Sequence, residues 1–259
     1  MENRINTLLK SSKKNILSVF YTAGFPSLND TAIVAKVLEE AGADLIEIGI
    51  PFSDPVADGP AIQESNKVAL QNGMTLKLLL EQVSALRKQV NLPIILMGYI
   101  NPVLQYGVAE FCRDAEAAGV DGVILPDLPL LEYENEYKQL FEEHGLKNIF
   151  LISPTTSEDR IRKIDAASSS FIYAVSASST TGTKSSFTSE QESYFKKLKD
   201  LKLSNPFLIG FGISNHSLFV TACEFGRGAI VGSAFINVLK NAKDLKTEIA
   251  YFVKELRGE

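Results

Sequence analysis

The feature that most limits what this chain can fold into is a rhythm. Apolar runs rich in β-branched residues occupy 16–22, 44–50, 93–98, 121–126, 148–152, 170–175, 206–210 and 228–231. A helical pattern separates each run from the next. A short apolar run bounded by turn residues reads as a strand buried on both faces, as in a parallel sheet covered by helices. Eight strand–helix units in 259 residues match the count and length of a (β/α)₈ TIM barrel. No composition shift or linker divides the chain, so the spacing predicts one barrel domain over residues 1–259. Two additions are expected. Residues 2–11 form an amphipathic N-terminal helix, with Ile5, Leu8 and Leu9 on one side, placed to cover the bottom of the barrel. Residues 233–240 form a short extra helix after strand 8, followed by a final helix at about 243–256. The tripeptides GAD and GVD put helix-to-strand turns at Gly42 and Gly119.

Composition narrows the class of protein. The net charge is -5 and no basic stripe appears, so nucleic acid is not an expected partner. No apolar run approaches the roughly 18 residues of a membrane span, and the N-terminus lacks the apolar core of a signal peptide. The two cysteines, Cys112 and Cys223, fall inside helical patterns and read as buried free thiols of a reducing compartment. A cytoplasmic location follows as the expectation.

A barrel places its chemistry at the C-terminal ends of strands and in the loops behind them. Two features stand out there. The stretch Asp44 to Gly59, DLIEIGIPFSDPVADG, sets one acid, Glu47, in an apolar strand and a second, Asp58, eleven residues on in a loop. A carboxylate inside a strand is costly unless paired or used. Two carboxylates in different environments divide acid and base roles. Each also has a plain structural reading, Glu47 as a hydrogen-bonded buried acid and Asp58 as half of an Asp-Gly turn. Asp54, before Pro55, competes with Asp58 on residue type alone. The second feature is glycine. GFGIS (Gly210–Ser214) and VGSAF (Val231–Phe235) each end a strand and open a helix. One such pair reads as a cap; two, after strands seven and eight, predict main-chain amides that bind an anion such as phosphate.

The segment IEIGIPFSDPVADG closely resembles the signature of the tryptophan synthase alpha subunit family, and the resemblance runs from about Phe20 to Ser233. It implies reversible retro-aldol cleavage of indole-3-glycerol phosphate to indole and glyceraldehyde 3-phosphate, in tryptophan biosynthesis. It assigns catalysis to Glu47 and Asp58. It implies that Gly212, Gly232, Ser233 and Gly182 hold the phosphate and that Thr181 contacts Asp58. Among apolar residues near strand ends (Phe20, Met97, Ile124, Ile152, Tyr173 and Phe211), it favours Phe20, Ile124, Tyr173 and Phe211 for the indole slot. Ser176 to Thr188 matches the family's lid, with Ala177 in place of a common arginine and Ser179 and Thr180 in place of a common Gly-Val.

A retro-aldol cleavage needs an electron sink. No lysine sits at a strand end for a Schiff base, since Lys147 precedes its strand and Lys184 lies in the long loop. His144 and His216 lack ligand spacing and read as cap or surface residues. The indole of the substrate is left as its own sink, so no cofactor is expected in this chain. The implied partner is a pyridoxal-phosphate beta subunit in an alpha2beta2 heterotetramer, docked against Pro51, Phe52, Asp54, Asn101, Pro102 and Pro129, with Phe52 expected to be exposed. The competing reading is a noncatalytic barrel paralogue that binds and stimulates a partner.

Overall fold

A computed structural model of the chain describes residues 3–176 and 186–259. The apolar runs form nine parallel strands: β1 (Ile16–Thr22), β2 (Leu45–Gly49), β3 (Ile94–Met97), β4 (Gly122–Ile124), β5 (Lys147–Asn148), β6 (Leu151–Ile152), β7 (Ile172–Val175), β8 (Phe207–Gly210) and β9 (Gly228–Val231). Their order across the sheet is β5-β4-β3-β2-β1-β9-β8-β7-β6. Its two end strands, β5 and β6, are pieces of the one run predicted at 148–152. The first half of that run bonds β4, and the second half bonds β7. Between them, Ile149 N–H donates to Val123 O and Tyr173 N–H donates to Phe150 O, both at 2.9 Å. The run switches neighbours midway and so closes the sheet into the eight-stranded TIM barrel.

Side-chain alternation splits the core in two. Ile16, Leu45, Ile95, Ile124, Leu208 and Ile230 fill the lumen. The intervening residues, such as Leu17, Ile46, Ile94 and Ile209, pack outward against the helices. Because both faces are apolar, the strands read in sequence as unbroken runs. The helix Asp30–Ala41 buries Val34, Val37 and Leu38 on one stripe, while Ile33, from the same periodic pattern, is exposed.

The barrel bottom is closed as expected. The helix Arg4–Lys10 begins at Asn3, whose side chain accepts from Ile5 N–H, and Ile5 inserts into the lumen cluster. Gly42 and Gly119 end their helices in the left-handed region, with φ of 99° and 85°. The Asp two residues after each glycine ties neighbouring strands together. Asp44 accepts from Leu17 N–H at 2.8 Å, and Asp121 accepts from Ile94 N–H at 2.9 Å. Each is buried and paired with an arginine, Arg257 for Asp44 and Arg87 for Asp121. The GAD and GVD repeats are thus two copies of one device: cap, turn, then lock the preceding strand.

No helix among the described residues is long and apolar enough to cross a membrane. Both cysteines are free, Cys112 buried and Cys223 half-buried. His144 follows the helix Lys138–Glu143 and faces Glu116 at 2.6 Å. His216 opens the helix His216–Phe225 and meets Leu256 O at 2.9 Å. Both histidines occupy structural positions at helix ends.

Candidate active site

At the opposite end of the lumen from Ile5, the strand ends surround a cavity of about 240 Å³. Glu47 and Asp58 both line it. Glu47 is the next lumen-facing residue above Leu45 on β2, so its carboxyl sits directly on the apolar filling of the barrel. It is fully buried. Ser18 Oγ on β1 donates to its Oε1 at 2.7 Å, while Oε2 has no partner among the described residues. Burial raises the Glu47 pKa to about 7, against the lowering effect of the Ser18 hydrogen bond. A carboxyl with that pKa gives and takes protons near neutrality.

Asp58 arrives from the loop after β2, just before the helix Pro60–Gln71. Tyr99 Oη donates to its Oδ2 at 3.1 Å. Burial raises its pKa and the Tyr99 bond partly offsets that rise. Asp54, the competing acid, is exposed, bonds Ser53 and does not line the cavity.

The apolar side of the cavity includes Phe20, Met97, Tyr173 and Phe211. Two strand-end glycines make room for two of these rings. A Cβ at Gly49 would stand 2.7 Å from Phe20 Cζ, and one at Gly210 would collide with the Tyr173 ring. Tyr173 and Phe211 meet edge to face at a centroid distance of 6.0 Å. Burial, then the nearby Glu47 and Asp58 carboxyls, hold the Tyr173 phenol well above its ordinary pKa, so it stays a donor. Ile124 does not line the cavity. It is paired in register with Met97 but ends the three-residue strand β4 inside the lumen filling, and Met97 lines the cavity where Ile124 does not. Ile152 points outward, into the layer beneath the helices.

Gly212, Ile213, Ser214, Gly232, Ser233 and Ala234 also line the cavity. None of the N–H groups of Ile213, Ser214, Ser233 and Ala234 donates to a protein acceptor among the described residues. Ser233 opens the helix Ser233–Asn241, so its first amides point out of the helix end into the cavity. On β8's exit, Phe211 and Gly212 take φ of 70° and 78°. Ser176 Oγ donates to Phe211 O at 2.6 Å and pins that bend. A positive φ at a phenylalanine is strained, and such strain clusters at ligand sites.

Residue patterns did not single out Ile62, Phe187 or Gln191, all of which line the cavity. Gln191 caps its own helix together with Thr188, and its Nε2 donates to Ser176 O at 3.0 Å. The capping box Thr188-x-x-Gln191 was the one signal available in the sequence. Thr181 and Gly182, like Ala177, Ser179 and Thr180, lie outside the described residues.

Phe52 departs from expectation. It is only half-buried in the loop but packs on Tyr99 at a centroid distance of 5.0 Å. The most exposed apolar residue of that loop is Val56, at 85%.

Comparison with known proteins gives a consistent result. A family profile described as "Tryptophan synthase alpha chain" matches residues 7–258. The tryptophan synthase alpha chain of Flavobacterium psychrophilum is 52% identical over 255 residues, covering 98% of this chain and 99% of that one. The protein of the same name from Bacteroides thetaiotaomicron is 49% identical, covering 93% of this chain and 94% of the other. Among solved structures, tryptophan synthase subunit alpha from Legionella pneumophila superposes with a TM-score of 0.90 at 34% identity, covering 100% of this chain and 98% of that one. A chain of the tryptophan synthase complex of Pyrococcus furiosus gives 0.86 at 34%, covering 95% and 99%.

Proposed function

This chain belongs to the tryptophan synthase alpha chain family, and from that membership and the cavity we propose that it cleaves indole-3-glycerol phosphate reversibly to indole and glyceraldehyde 3-phosphate. The observation that supports this reading is convergence. Two carboxyl groups held by different partners share one cavity with amides after β8 and β9 that have no partner among the described residues.

The chemistry divides among those groups. The phosphate is held by the amides of Ile213, Ser214, Ser233 and Ala234, with Gly212 and Gly232 keeping the backbone open. The indole lies against Phe20, Tyr173 and Phe211. Protonated Glu47 gives its proton to indole C3, and the ring becomes an indolenine whose C=N⁺ is the electron sink. The Glu47 carboxylate then takes the proton of the hydroxyl on the adjacent glycerol carbon. That carbon becomes the aldehyde as its bond to C3 breaks, and the electron pair returns to the ring. Asp58 accepts the indole N–H and stabilises the cationic intermediate. Glu47 ends as it began, protonated. The indole itself carries the electrons, so the pathway asks for no Schiff base, metal or cofactor in this chain.

Free indole diffuses, so a partner that captures it completes the reaction. Three exposed apolar side chains follow consecutive strands on the barrel rim: Val56 after β2, Leu104 after β3 and Leu131 after β4. Such a row supports docking of a beta subunit there; from the family membership we propose an alpha2beta2 assembly in the cytoplasm. The noncatalytic alternative gains no support, because both acids are present and both face the cavity.

Indole release from indole-3-glycerol phosphate by the purified chain, with and without a beta subunit, tests the reading. Glu47→Gln is expected to abolish release while glycerol 3-phosphate still binds. Release at wild-type rate by that variant would overturn the assignment.

A further inference from the structure

Glu47 is gripped by a residue that the proposed reaction leaves without a role. Ser18 lies on the lumen face of β1, two residues before Phe20, and Phe20 is the register partner of Glu47. The hydroxyl is fully buried and does not line the cavity. Among the described residues its one side-chain hydrogen bond runs diagonally across the strand pair to Oε1 of Glu47 at 2.7 Å. In the same lumen Ile16, Leu45 and Ile95 are all apolar. A serine in that filling is costly unless its hydroxyl is bonded, and this one is bonded to the acid at the cavity floor.

We propose that Ser18 is a positioning residue for the reaction, holding Oε1 of Glu47 so that Oε2 is the oxygen that exchanges protons with the substrate. This rests on the lyase reading given above. A glutamate has three side-chain torsions to fix, and a carboxyl that must serve as acid and then as base has to keep one orientation through both steps. A hydrogen bond from a neighbouring strand supplies that restraint from a rigid element. The bond also favours the charged carboxylate and so opposes the effect of burial. The other titratable groups on the cavity wall, among the described residues, are Asp58 from the loop after β2 and Tyr173 from β7. Neither bonds Glu47. Ser18 is thus the one hydrogen-bond donor that stabilises ionised Glu47 among the described residues.

The test uses the full chain labelled with ¹³C at glutamate carboxyls, with the Glu47 signal identified by its loss in Glu47→Gln. In Ser18→Ala the Glu47 titration midpoint is expected to rise by about one pKa unit. The kcat for indole release is expected to fall about tenfold with KM little changed. Ser18→Thr, which keeps the hydroxyl, is expected to restore both. An unchanged midpoint in Ser18→Ala, or a Ser18→Thr variant as impaired as the alanine, would overturn the proposal. Should Ser18→Ala fail to fold, Ser18→Cys fills the site with a weaker donor and must show a smaller upward shift; wild-type values there also overturn it. If the wild-type chain releases no indole, the function reading falls, while the titration still decides the coupling of Ser18 to Glu47.

Discussion

Tyr99 holds Asp58 from the next strand exit: its Oη donates to Oδ2 at 3.1 Å and accepts from the N–H of Ala57 at 3.0 Å. One phenol therefore fixes both the acid and the backbone that carries it. Phe52, earlier in the same loop, packs on the Tyr99 ring. The loop between Pro51 and Gly59 is thereby anchored at its start and near its end, and Asp58 is set over the cavity by a side chain 41 residues away in sequence.

Removing that phenol has a signed consequence. The Tyr99 bond lowers the Asp58 pKa against burial, so Tyr99→Phe raises it further. Asp58 acts as a carboxylate, so the acid limb of kcat/KM moves to higher pH. A hydrogen bond to a charged group is worth about 1.5–3 kcal/mol, so kcat/KM is expected to fall at least tenfold. A pH–rate profile of the variant with an unmoved acid limb would count against this role.

Glu47 makes a prediction about stability. Its folded pKa of about 7 lies above the ordinary 4.5. An acid with a raised folded pKa binds its proton more tightly folded than unfolded. Its contribution to stability is complete below pH 4.5 and is lost as pH rises towards 7. The full loss is about 3 kcal/mol for this fully buried group. Glu47→Gln lacks that titration, so the variant is expected to gain on the wild type by about this amount between pH 4.5 and 7.5. Urea unfolding of both proteins across that range checks it, because other groups titrate alike in the two. Parallel stability curves would mean that the carboxyl is not desolvated as described.

These two residues also show which parts of the molecule were legible in the sequence. Glu47 was visible because an acid interrupts an apolar run. Each such run became a strand, with the fifth shared between two neighbours, because run length and turn residues are local signals. Lumen and outer faces were not legible, because strands apolar on both sides carry no alternation. Ile124 and Ile152 therefore looked alike near their strand ends, yet one fills the lumen and the other packs under a helix. Ser18 was hidden by size, a small hydroxyl within ILSVFYT. Tyr99 and Phe52 were separate features until the fold joined them, and that contact is why Phe52 is not the exposed residue it promised to be.

The bend after β8 carries another prediction. Gly212 has a φ of 78°, and a Cβ there would meet only Ser176 Oγ, at 4.0 Å. Alanine fits the space but not the backbone, a strain of about 1–2 kcal/mol. In the ligand-free variant the bend is expected to relax and to carry the Ile213 and Ser214 amides away from the cavity. Gly212→Ala is therefore expected to weaken inorganic phosphate binding about tenfold, measured by calorimetric titration, with thermal stability less affected. Unchanged phosphate affinity would separate this bend from the anion.

The close fit between Phe20 and Gly49 ties the substrate wall to the sheet itself. A methyl group at position 49 would stand 2.7 Å from Phe20 Cζ and 3.4 Å from Thr22 Cα. The ring must leave its place across the neighbouring strand, or the strands must part. Gly49→Ala is expected to destabilise the chain by about 1–3 kcal/mol, the range for an overfilled core. Phe20→Leu removes the atoms that collide, so the double variant is expected to be more stable than the sum of the two single effects predicts. A coupling of about 1–2 kcal/mol from denaturant unfolding fits residues in direct contact. Strict additivity would show that the new methyl group presses on Thr22 rather than on the ring. The same cycle read in KM separates packing from recognition: Phe20→Leu alone weakens the indole slot, and restoring the fit at position 49 leaves that loss in place.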